Sequence, residues 1–417
     1  MKRTAVLNCA SKLMVTLLLG LSATTSVHAQ TVAPLFVFPC TADGSCPDGS
    51  NLNSLIQASD GNFYGTTATS EFRRFRGGTI FQLTPSADFR LLFTFTPGPS
   101  QDFPNGNSPS SGLVEGADGL LYGTAALGGA NNQGVVFRID KTGAEFEVLH
   151  SFCALASCAD GAVPLGLTLG SDGSFFGQTN AGGIPETNCI QGGCGTIYRI
   201  TPDGSFQVLH AMEPVTEGGN RPDLGLVNGS DGNLYGVSDL DSLDTNIFRV
   251  TPTGEFSIVF STPEGELDTS VIGLTQASNG KLFGGFIVEE TDNSVHFFEI
   301  NLDGSGFQSF TPSSQILTTA PPIPSLIQAS DGNLWGSLSP ERSLRNGAIF
   351  SISMDGTLLR IISFDPTIGF PNTRLLQSSD GTLVGTTSDL STIDGFPFSG
   401  GVVFTLGAGL APPLRAP

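Results

Sequence analysis

The chain has 417 residues, of which 38 are acidic and 18 basic, and its formal net charge of −20 repels nucleic acid and anionic membrane surfaces. Hydrophobic residues make up 39%, which excludes a wholly disordered chain and allows sizeable cores. No stretch beyond the first thirty residues is apolar for the ~18 residues a membrane-spanning helix needs.

Residues 1–29 read as an export signal. Lys2 and Arg3 open it, "LMVTLLLGLSA" is its apolar centre, and "VHA" before Gln30 is a small-residue cleavage site. Cleavage there removes Lys2, Arg3 and Lys12, leaving 15 basic against 38 acidic residues, a net of −23 on the mature chain. The expected locations are therefore outside the cell or in the periplasm. Six cysteines remain and fall in close pairs: Cys40 with Cys46, Cys153 with Cys158, and Cys189 with Cys194. An even count in an oxidising compartment predicts three local disulfides. The spacings match neither a zinc ribbon nor a C-x-x-C redox site, so no metal or cofactor is expected.

From residue 54 onward the chain repeats itself. "SLIQASDGNFYG" at 54–65 returns as "SLIQASDGNLWG" at 325–336, and an Asp-Gly or Asn-Gly step recurs at Asp60, Asp118, Asp172, Asp231, Asn279, Asp331 and Asp380. Successive steps are 48 to 59 residues apart, and a second glycine follows each by five residues (Gly65, Gly123, Gly177, Gly236, Gly284, Gly336, Gly385). A period of this size means a stacked or circular repeat architecture. Each unit contains short runs of Ile, Val, Phe and Thr between Gly, Asp and Pro clusters, which predicts four strands, with the Asp-Gly step as a tight hairpin turn.

The third run reads apolar, aromatic, polar, apolar in every unit, as in Ile80-Phe81-Gln82-Leu83 and Val403-Phe404-Thr405-Leu406. Apolar neighbours on opposite faces of a strand require cover on both sides. The fold class predicted is all-β: a seven-bladed β-propeller over residues 30–410, four strands per blade, followed by a Pro-rich tail at 411–417. The seventh unit supplies only three strands. "APLFVFPC" resembles a fourth-strand ending, so residues 34–38 are expected to pair beside 402–406 and close the ring.

The phrases "LIQASDGNFYGTT", "GGTIFQLTP", "CGTIYRITPDGSFQVLH" and "HSFCALASC" resemble the GloVer tandem-repeat, or choice-of-anchor, family of exported bacterial proteins. The resemblance spans about residues 34–406. It implies a secreted or surface-displayed bacterial propeller and transfers no catalytic residue. Family members often carry a C-terminal anchoring segment, whereas this chain ends in "GAGLAPPLRAP". Free secretion or periplasmic residence is expected instead.

Candidate site residues are few. The Asp-Gly turns lack the dense acidic spacing of a calcium loop and read as turn geometry. His150 and His210 occupy one register of the outermost strand, away from the axis, and Tyr64, Tyr122, Tyr198, Tyr235 and Trp335 fall at repeat-core positions. The S-x-D-x-G-x-x-W spacing of sialidases is not met. One loop stands out: "EFRRFRGG" sets Arg73, Arg74 and Arg76 beside Phe72 and Phe75, and arginine forks recognise carboxylate, sulfate or phosphate. An acidic glycan or an acidic protein patch is the partner expected there; a solvated loop paired to nearby carboxylates is the plainer alternative. The reading overall is a monomeric, non-catalytic extracellular binding module. The rival is a carbohydrate- or lactone-active hydrolase or lyase with carboxylates around the channel.

Overall fold

The computed structural model describes residues 31–41, 45–71, 77–100, 102–184, 193–213, 220–222, 225–240, 244–261, 269–288, 294–311, 326–338, 347–365, 368–371, 373–387 and 399–407. The recurrent turns fold as hairpins. Gly61, Gly119, Gly173, Gly232, Gly280, Gly332 and Gly381 have φ between +78° and +89°, a region that strains any residue with a Cβ. The residue before each glycine fastens the same turn. Asp60 Oδ1 accepts the Asn62 backbone N–H at 3.1 Å, and the other six turns repeat that bond at 2.9–3.1 Å.

The second recurrent glycine answers a different need. Gly65 lies directly across from Phe81 in the neighbouring strand, and each later unit repeats the pair, as in Gly123 with Phe137, Gly177 with Tyr198 and Gly385 with Phe404. None of the seven glycines has positive φ among the described residues. A Cβ placed on any of them would lie 2.3 to 2.6 Å from the partner ring. The aromatic ring lies over the glycine, and both sequence signatures come from one contact.

These pairs build seven antiparallel sheets that run from an inner strand outward in sequence order. Blade 1 comprises Ser45–Leu52 continued by Ile56–Gln57, then Phe63–Glu71, Thr79–Leu83 and Phe89–Thr94. The seventh blade is completed by the start of the described chain. Val32–Pro39 pairs antiparallel with Ser399–Leu406, placing Pro34 opposite Phe404 and Val37 opposite Val402, as the sequence predicted.

Neighbouring blades share cores, because each sheet is buried on both faces. Phe38, Leu55 and Phe81 pack with Val384 and Val403 across the ring closure, and Phe38 meets the Phe81 ring edge-on at 4.9 Å. A polar clamp adds to this. Gln57 Oε1 accepts the backbone N–H of Ser379 from the seventh blade at 2.7 Å, while its Nε2 donates to Gly61 O of its own turn at 2.9 Å. Equivalent clamps join Glu115 to Ser59, Gln276 to Ser230, Gln328 to Ser278 and Gln377 to Ser330. The Gln and second Ser of the opening phrase are thus the joint between blades.

Two outcomes follow for folding. Gly123→Ala, which drives a Cβ into the Phe137 ring, is expected to lower stability by about 1–3 kcal/mol in denaturant titration; an unchanged midpoint would show that the ring can move aside. Phe38→Ala opens the closure core and is expected to cost about 3–5 kcal/mol, whereas Leu359→Ala, at 47% exposure, serves as a near-neutral control.

Candidate functional site

Where the inner strands approach the axis, their ladders break. The register shifts between Pro164 and Leu167 in blade 3 and between Ile272 and Leu274 in blade 5. In blades 1, 2 and 4 the inner strand is split in two at the same place. Bulges of this kind re-aim side chains and are common beside sites. Counting six residues back from each turn identifies the residue at the break among the described residues, namely Ser54, Gly112, Gly166, Gly225, Gly273 and Arg374; the sequence equivalent in the sixth repeat, Ser325, lies outside them. The next residue is leucine every time, and all seven leucines are buried in the blade interfaces.

The axis holds a cavity of ≈ 690 Å³ lined by inner-strand residues of all seven blades. That volume suits a small molecule. Aliphatic side chains such as Ile56, Val114 and Leu376 line it together with the hydroxyls of Ser54, Ser111 and Thr373. Arg374 is the single charged residue among the described lining residues. It precedes the strand Leu376–Gln377, on the side away from the Asp-Gly turn. Its side chain is exposed to the cavity but enclosed by surrounding protein, and that burial pushes its pKa below the ordinary arginine value. Among the described residues it has no carboxylate partner and no hydrogen-bond acceptor.

The residues singled out from the sequence fall elsewhere. Arg73, Arg74 and Arg76 lie outside the described residues, as does most of each long loop. The disulfides Cys40–Cys46 and Cys153–Cys158 are formed, both in connections between blades; Cys194 is buried and disulfide-bonded, and Cys189 lies outside the described residues. Tyr64, Tyr122, Tyr198, Tyr235 and Trp335 are fully buried. Tyr64, Tyr122 and Tyr235 donate their hydroxyls to the turn aspartates at 2.6–2.7 Å, and Trp335 Nε1 points at Asp331. Burial and the neighbouring Asp118 push the Tyr122 hydroxyl up to about 12. No group of three or more His, Cys, Asp or Glu suited to a metal occurs among the described residues.

The histidines are packing groups. His150 stacks on Phe206 at 3.8 Å and reaches the buried Asp160 carboxylate at 3.1 Å; His210 stacks on Phe256 at 4.0 Å. Asp160 also accepts the backbone N–H groups of Ala154 and Leu155, shaping the loop that Cys153–Cys158 closes. Arg374 is the residue that sequence reasoning missed. Its signal was present in the register: six small residues and one arginine.

A seven-bladed propeller with an axial cavity is thus the class that fold and site define. Residues 25–190, which end within the third repeat, match the Gloeobacter/Verrucomicrobia repeat model. No curated protein matches the chain. Among solved structures, it is similar to a catalytically inactive variant of virginiamycin B lyase from Staphylococcus aureus with quinupristin, at 15% identity and a TM-score of 0.57, over 91% of this chain and 100% of that one. It is also similar to the extracellular domain of a protein described as a hybrid two-component system of B. thetaiotaomicron, at 15% identity and a TM-score of 0.57, over 92% and 43% of the two chains. Puromycin hydrolase matches at 12% identity and a TM-score of 0.53, over 85% and 53%. At these identities the likeness is one of fold.

The two stacked histidines set a pH dependence. Burial lowers the pKa of each, with Asp160 opposing at His150 and Glu213 at His210. A depressed histidine pKa means that the unfolded chain takes up protons the folded chain refuses, so stability falls as pH drops below the ordinary value near 6.5. Thermal midpoints at pH 7.5 and 5.5 should show that loss. His210→Phe, which keeps the stack on Phe256, should remove part of it.

Proposed function

We propose that this is an exported, monomeric, non-catalytic binding protein that takes its ligand into the axial cavity from the long-loop end. In this reading residues 1–29 are the cleaved signal, residues 30–410 the propeller and residues 411–417 its tail. The observation that carries the reading is the cavity itself: small-molecule volume, aliphatic walls, several hydroxyls and one cation. Ligand sites of this composition hold a body by burial and orient it through few polar groups. Among the described residues, His150 and His210 are stacked in outer strands, away from the cavity. Disulfides suit an oxidising compartment, and no helix among the described residues is long and apolar enough to cross a membrane. The arginines at 73, 74 and 76, outside the described residues, are a second candidate contact for an acidic glycan or protein.

A carbohydrate- or lactone-active hydrolase or lyase is the second reading, favoured by the similarity to folds named as a lyase and a hydrolase. It requires convergent carboxylates or a held metal at the channel, and the charged residue among the described lining is an arginine. Thermal unfolding of the purified mature protein, screened against glycans, peptides, organic acids and divalent ions, separates the two. A ligand at one hundred times its Kd stabilises by about 2.7 kcal/mol, a shift of a few degrees. The binding reading expects such a shift with the compound recovered unchanged; turnover of a lactone or glycoside would overturn it.

A further inference from the structure

A sevenfold arrangement brings the same register of seven inner strands toward one axis, so what stands there is decided jointly. Serine or glycine occupies six of the seven positions, and a Cβ built on Gly225 would meet nothing within 4 Å. Arginine occupies the seventh and is given room by the other six. Arg374 is an exposed side chain within the cavity, open to a ligand that brings a counter-charge or hydrogen-bond acceptors. Arg374 has neither among the described residues, although the protein as a whole carries far more carboxylates than cations.

We infer that the axial cavity is an oxyanion site, in which the Arg374 guanidinium takes the carboxylate, phosphate or sulfate head of a small organic anion; this rests on the binding reading above and names its ligand class. The chemistry matches at each level. Guanidinium remains protonated at any physiological pH and presents a planar fork of donors that pairs bidentately with an oxyanion. Ser54 lies at the same register in the adjoining first blade, and its hydroxyl has no partner among the described residues, so it can donate a further bond. Beyond the head group, Ile56, Leu376 and their equivalents offer an apolar wall for the ligand's body.

The test uses the mature full chain, Arg374→Gln, and the triple variant Arg73→Ser, Arg74→Ser, Arg76→Ser. Probes are sulfate, phosphate, acetate and glucuronate, with glucose as the neutral counterpart of the last, read by thermal stabilisation and calorimetry at low ionic strength. At least one oxyanion is expected to stabilise the wild type, with affinity about 10- to 100-fold weaker in Arg374→Gln and retained in the triple variant. Arg374→Gln should leave ligand-free stability unchanged, since the exposed side chain makes no hydrogen bond or ion pair among the described residues, so lost binding would not reflect misfolding. Equal oxyanion binding by wild type and Arg374→Gln would overturn the inference, and so would loss confined to the triple variant, which would place the anion on the loop. Binding of glucose with no response to any oxyanion would overturn it too, while leaving the cavity a binding site. No response to any of these probes would also count against the oxyanion site, and the wider ligand screen would then decide the binding reading separately.

Discussion

A ring lying over a glycine is the contact on which this protein depends. In every blade the aromatic residue of the third strand covers the glycine opposite it in the second, close enough that even a methyl group would collide. The contact sets register, because a one-residue slip would move the aromatic onto a residue with a side chain in every blade except the fifth, where Gly285 follows Gly284. Strand interiors ordinarily disfavour glycine; here the loss is offset by burying an aromatic ring in each blade, seven times over.

Packing between blades then follows from the same alternation. Apolar neighbours on the third strand face opposite ways, so every sheet contributes to two cores, and the ring has no blade that is stable alone. Side-chain amides of Gln57, Gln276, Gln328 and Gln377, with the carboxylate of Glu115, fasten five of the seven junctions by accepting a backbone N–H from the preceding blade. At the other two the register holds Leu169 and Asn228; Asn228 instead donates to Leu169 O at 2.9 Å. The Gln57 clamp and the pairing of Val32–Pro39 with Ser399–Leu406 tie the first blade to the last, which turns a linear array into a closed ring with only short sheet edges.

Symmetry of this kind makes departures informative. Turn residues and paired glycines repeat because seven blades need the same geometry, and the turn Asp or Asn accepts a backbone N–H of its own turn in every blade. Arg374 departs from its register and stands unpaired on the axis among the described residues. The functional proposal therefore rests on a break within the repeat, in the strand nearest the centre, as well as on the irregular loops that surround it.

Fold and closure were legible in the residues alone because they arise from short-range chemistry repeated at a period: Asp-Gly turns, alternating apolar strands, a missing seventh outer strand and its counterpart near Pro34. The disulfides at Cys40–Cys46 and Cys153–Cys158 were legible for the same reason, since their partners are five or six residues apart. The reason for the second glycine was not legible, because it lies in a ring on the neighbouring strand, across a loop whose length differs from unit to unit. Arg374 was hidden further still. In sequence it sits between Thr373 and Leu375, one arginine among several; only the convergence of seven inner strands on one axis sets it in a cavity without a partner among the described residues.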